Sequence, residues 1–102
     1  MTIINTTLDS VVGNIYASSG NTTVVTMYFC NTDASARTIN LYLVPAAGTA
    51  GTSNQIIKTL SISAGDTYIK NTERLCLSNG ETIQANASVG SVVVATVNYT
   101  DT

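Results

Sequence analysis

The chain is expected to fold as a single antiparallel β-sandwich of about seven to eight strands, Ig-like or jelly-roll-like, with no helix. Three observations carry that expectation. Apolar and polar residues alternate with a period of two in short runs, as in "TTVVTMYF" and "TINLYL". Turn residues (Gly, Asn, Asp, Ser) interrupt those runs about every ten residues, the spacing of a sandwich or barrel. Charged residues make up only 10% of the 102 residues, against about 25% in ordinary soluble domains. Thr, Val and Ile, which suit a pleated and half-buried surface, take their place.

Taken in order, the strand signals cover 11–18, 22–31, 37–44, 55–63, 67–70, 74–77, 81–88 and 91–100. In 22–31 the period of two sets Val25, Met27 and Phe29 on one face and Val24, Thr26 and Tyr28 on the other. In 37–44 Ile39, Leu41 and Leu43 alternate with Asn40 and Tyr42. The short "TDASA" between them is read as a hairpin connection. Residues 45–54 hold the single proline and several Gly, Ala and Ser, and form the longest loop. Asn79-Gly80 tolerates positive φ at both positions, so it is expected to close a two-residue type I′ hairpin between 74–77 and 81–88. After it, Ile83, Ala85 and Ala87 form a face of small side chains for close packing. Residues 1–10 stand before this series. They are expected either as an arm reaching a neighbour or as a frayed terminus or a first edge strand, with 11–102 as the sandwich domain.

The same composition narrows the function. A net charge of −2 with Arg37, Lys58, Lys70 and Arg74 as the cations offers no basic patch for several phosphates, so no nucleic-acid partner is expected. No apolar run approaches a membrane span and no export signal opens the chain, so no membrane partner is expected. There is no histidine, the commonest acid–base group near neutral pH, and the carboxylates fall mostly in turn positions where they bond their own backbone. Cys30 and Cys76 lie far apart, form no CxxC pair and are expected as two buried thiols. "PAAGTAGTSN" lacks the Lys of a phosphate loop. No catalytic residue, cofactor or metal is therefore assigned, and the chain is expected not to be an enzyme. The Asn-x-Ser/Thr patterns at Asn5, Asn21, Asn86 and Asn98 follow from the abundance of those residue types.

Low charge weakens self-repulsion and favours close association. Tyrosines bring apolar area with a polar tip, so Tyr28 and Tyr42, expected on the non-core faces of neighbouring strands, are candidate contact residues. Ile3 and Ile4, in the N-terminal segment, are the other two.

"YFCNTDASARTINLYLVPAAGT", "LSISAGDTYI" and "LCLSNGETIQANAS" resemble small structural proteins of tailed bacteriophages, including cyanophages. The pieces are Cys30-Asn31-Thr32, Val44-Pro45, Gly65-Asp66-Thr67 and Gly80-Glu81-Thr82-Ile83, with Glu81 where an Asp is usual. The resemblance covers roughly residues 22 to 99 and its motifs are turn motifs. It implies a virion component assembled in the host cytoplasm: a capsid decoration protein bound to the major capsid protein or another virion protein, or else a tail or fibre module. A homo-oligomer follows, a trimer first, because capsid lattices offer local three-fold positions. The other expectation is a carbohydrate-binding adhesin module using Tyr and Asn on one sheet face.

Overall fold

The computed structural model describes residues 2–70 and 75–101. Among them there is no helix; the strands are β1 (Thr2–Thr7), β2 (Gly13–Ala17), β3 (Thr22–Asn31), β4 (Arg37–Val44), β5 (Gln55–Ile62), β6 (Thr67–Lys70), β7 (Leu75–Leu77), β8 (Thr82–Ala87) and β9 (Val93–Asp101). Arg74, expected to open a strand, lies outside the described residues. One sheet runs β1-β9-β3-β6, with β7 beside β6 on β3; the other runs β2-β8-β4-β5. Every pairing is antiparallel.

The order has a simple origin. β4 pairs β5, β3 pairs β6 and β7, β2 pairs β8, and β1 pairs β9. The chain is thus one long antiparallel hairpin whose tip is the 45–54 loop, rolled so that β9 also pairs β3 and β8 also pairs β4. That is jelly-roll winding, with β6 and β7 sharing the place of one strand. Both sheets turn an apolar face inward. Phe29, Ile39, Leu41, Ile83 and Val93 are fully buried, with Val24, Met27, Ala85, Ala87, Ala95 and Val97 nearly so. At about 25 cal/mol per Å² of apolar area removed from water, this shared layer is the main force holding the sheets together.

Rolling overturns the two expected hairpins. β3 and β4 lie in opposite sheets, so the "TDASA" turn crosses between them. β7 and β8 are likewise in opposite sheets. The turn between them closes with Glu81 N donating to Ser78 O at 3.1 Å. Only Gly80 has positive φ, +87°, and Asn79 does not. That is the pattern of a type II turn with glycine in the third position, not of type I′.

Bulges correct the expected faces. The register of β3 on β9 shifts between Val24 and Thr26, making Val25 the extra residue. Val24 therefore joins Met27 and Phe29 inside, while Val25 is only half-buried. A matching shift between Asn14 and Tyr16 lets the consecutive residues Ile15 and Tyr16 both be buried. The alternation expected for β8 holds: Ile83, Ala85 and Ala87 face the core.

Within the segment 1–10 the structure places an edge strand. Thr2–Thr7 pairs β9 in unbroken register, and Leu8, whose N–H donates to Val93 O at 2.8 Å, is buried in the core.

Candidate interaction surfaces

Direct partners in an antiparallel ladder share a face, so the register gives the composition of each outer face. On the β1-β9-β3-β6 sheet one outward row runs Asn5, Thr96, Tyr28, Ile69. The row on one side is Ile3, Asn98, Thr26, and on the other Thr7, Val94, Cys30, Thr67. These rows contain no charged residue. Ile3 is 65% exposed, Ile69 49% and Tyr28 38%. The face is thus apolar and hydroxyl-rich, studded by three large side chains that the monomer leaves in water.

One group on it is unsettled. Asn98 Oδ1 is buried and has no hydrogen-bond partner, a condition that costs about 1–3 kcal/mol. Its neighbour Thr96 is satisfied by donating to Asn5 Oδ1 at 2.8 Å.

The outer face of the other sheet has a different chemistry. A row of Asn14, Gln84, Tyr42 and Gln55 crosses all four strands, with Asn40 and Asn86 in the row alongside. Its amides bond one another: Gln55 Nε2 donates to Asn40 Oδ1 at 3.1 Å and Asn40 Nδ2 to Asn86 Oδ1 at 3.0 Å. Asn40 Oδ1 also accepts from Thr59 N at 2.9 Å, where Thr59 has a φ of 53° at a bulge of β5. The polar face is therefore partly internal scaffolding that holds an edge bulge.

The predicted contact residues are thereby separated. Tyr28 is on the uncharged face, Tyr42 is half-buried on the amide face of the opposite sheet, and the expectation that they sit on neighbouring strands fails because β3 and β4 belong to different sheets. Ile3 shares the outer face with Tyr28. Ile4 points the other way, opposite Val97, yet remains 37% exposed. Tyr16, Tyr68 and Tyr99 serve the core, with Tyr16 and Tyr99 rings 4.5 Å apart and Tyr68 stacked on Phe29 at 6.3 Å. A comparison with protein families and with curated proteins finds no match for the chain.

Among the described residues no group of three His, Cys, Asp or Glu could hold a metal. Both cysteines are free thiols, but neither is buried as expected: Cys76 is exposed and Cys30 half-buried. Cys76 sits opposite Thr23 and Cys30 opposite Thr67, near opposite ends of β3, so they lie roughly 20 Å apart at ~3.3 Å per residue, beyond disulfide reach. A depression of about 310 Å³ lined by Asn21, Thr22, Thr23, Cys76, Leu77 and Ser78 carries neither acid nor base. Beside it Thr22 Oγ1 contacts Tyr16 Oη at 2.9 Å and Ser18 Oγ at 3.1 Å, a buried hydroxyl cluster.

One turn carries features that sequence reasoning missed. Asn31 is fully buried; its Nδ2 donates to the carbonyls of Ser35, Ile62 and Ser63 at 2.9, 3.0 and 3.3 Å, and its Oδ1 accepts from Asp33 N at 3.0 Å. It ties the end of β3 to the end of β5 in the opposite sheet. In the same turn Arg37 Nε donates to Asp33 Oδ2 at 2.7 Å, and Arg37 with the Ala34 N–H holds the Asp33 carboxyl below its ordinary 3.8. In sequence Asn31 shows only as a polar residue closing a strand immediately before a turn, a pattern shared with ordinary turn residues.

Proposed function

We propose that this chain is a non-enzymatic structural protein of a tailed bacteriophage particle that decorates the outer capsid lattice. The observation that carries the reading is the outer face bearing Ile3, Tyr28 and Ile69, whose rows of described residues hold no charge. Such a face fits a broad protein surface better than a small ligand, because its exposed groups are large, apolar and spread across several strands. The resemblance of the turn motifs at Cys30-Asn31-Thr32, Gly65-Asp66-Thr67 and Gly80-Glu81-Thr82-Ile83 to those of phage structural proteins supports a virion protein as the partner. Jelly rolls serve in viral capsids and in lectins, so the fold alone is an analogy consistent with both. On a symmetric lattice many copies bind at once, and avidity multiplies a modest single contact.

The amide-and-tyrosine row of the other sheet favours a second reading, a tail or fibre module that binds carbohydrate through Asn14, Gln84, Tyr42 and Gln55. A glycan array separates the two.

The test is cosedimentation of the purified chain with capsids that lack it. Saturable binding that weakens at least tenfold in Tyr28→Ser with Ile69→Ser supports decoration through the uncharged face. No binding, or binding untouched by the double variant, refutes it.

A further inference from the structure

We infer that β1 is a self-association edge, pairing antiparallel with β1 of a second copy of this chain across a two-fold axis, so that the two β1-containing sheets become one. A sheet edge is a row of unpaired backbone groups, and monomeric proteins protect such rows with bulges, charges, proline or brevity. The remaining edges here carry those devices. β2 has a bulge at Ile15. β5 has register shifts, the left-handed Thr59 and the exposed Lys58. β6 is "TYIK", four residues ending in lysine, and β7 has three. β1 is "TIINTT": six residues without proline, glycine, charge or bulge, in unbroken register from Thr2 to Thr7.

Its side chains point to the same conclusion. β1 exposes apolar groups on both faces, Ile3 outward at 65% and Ile4 on the opposite face at 37%. Only a body that continues the sheet covers both at once. A second copy fits because the strand complements itself. Antiparallel pairing about a two-fold axis normal to the sheet keeps faces matched, so each residue meets one of its own parity. Centring the axis on Ile4 sets Ile4 against the second copy's Ile4, Ile3 against Asn5, and Thr2 against Thr6. Centring it on Asn5 sets Asn5 against Asn5 and leaves Ile4 facing Thr6. The first register buries the apolar pair under the joined sheets and opposes no charges. It makes the associated unit a dimer, in place of the three-fold unit that lattice symmetry alone suggests, and it stands whether or not the chain belongs to a phage particle.

Sedimentation velocity of the full chain across a micromolar concentration series tests this, beside Ile4→Lys. The expected result is a monomer–dimer equilibrium whose dissociation constant rises at least tenfold in Ile4→Lys. Because a lysine there could loosen β1 from β9, a second variant reads the register directly. Ile4→Cys in a Cys30→Ser, Cys76→Ser background is expected to form a disulfide-linked dimer on mild oxidation, since directly opposed strand residues lie within disulfide range. Val11→Cys, at a residue 73% exposed outside β1, is the control expected to stay monomeric. A wild-type chain that stays monomeric throughout, with no cross-link at position 4, overturns the inference and leaves the edge to a different protein. Association that survives Ile4→Lys without a cross-link at position 4 overturns it in favour of another surface.

Discussion

Replacing Asn31 isolates one contact between the two sheets. Its side chain is wholly buried and makes three donor contacts and one acceptor contact. The contact to Ser63 O, at 3.3 Å, shares a hydrogen with a shorter one and counts least. Asn31→Ala removes the two shorter donor bonds and the bond from Asp33 N, leaving the Ile62 carbonyl and its neighbours short of partners. At about 0.5–1.5 kcal/mol for each bond lost, with a larger cost for any group left dry, the loss is about 2–4 kcal/mol. For a domain of this size that lowers the melting temperature by roughly 10–25 °C. Asn31→Asp sharpens the test. The volume hardly changes, but an oxygen now faces the three carbonyls, so burial and repulsion raise the folded-state pKa of the new carboxyl above its unfolded value of about 3.9. The folded state then binds more protons than the unfolded one above that pH. Stability relative to wild type is highest at acid pH and falls as pH rises through the folded-state pKa. Melts followed by far-ultraviolet circular dichroism and tyrosine fluorescence, the chain having no tryptophan, measure both variants. A loss below about 1 kcal/mol in Asn31→Ala, or a pH-independent deficit in Asn31→Asp, refutes the assigned role.

Other substitutions probe separate parts of the structure. Asn98→Val removes the buried unpartnered Oδ1 and suits a strand, so it is expected to raise stability by about 1 kcal/mol in a urea melt. Gly80→Ala puts a Cβ at φ +87° and 3.2 Å from the Ala46 Cβ, and is expected to lose about 1 kcal/mol or more in the same assay. Phe29→Ala, at a fully buried site, is expected to lose about 3–5 kcal/mol. The Asp33–Arg37 pair gives a small acid dependence. Because the Asp33 pKa is depressed, the pair's contribution is present above the unfolded carboxylate value and is lost as pH falls below about 4. The melting-temperature gap between wild type and Asp33→Asn should therefore shrink below that pH.

What the sequence carried, and what it did not, follows from the range of the interactions involved. The core face of β8 was legible because Ile83, Ala85 and Ala87 alternate without interruption. The faces of β3 were not, since a single bulged residue, Val25, reverses the phase of everything before it. Bulges answer to the neighbouring strand, which lies far away in sequence. Strand partners were illegible for the same reason: the rolled hairpin sends β3 to β9 and β4 to β8, so consecutive strands with a short polar turn belong to opposite sheets. Strand alternation placed Tyr28 on an outer face, and Ile3 and Ile4 were named with it as candidate contact residues, but grouping Tyr28 with Tyr42 required the sheet assignment. Asn31 looked like ordinary turn chemistry because its acceptors, the carbonyls of Ile62 and Ser63, come from a distant strand end.

The proposal that this chain is a component of a phage particle is tested most directly by quantitative mass spectrometry of density-purified tailed-phage virions from lysates in which the chain is expressed. The account predicts the chain in many copies, in fixed proportion to the major capsid protein. Its absence from intact virions would contradict the account.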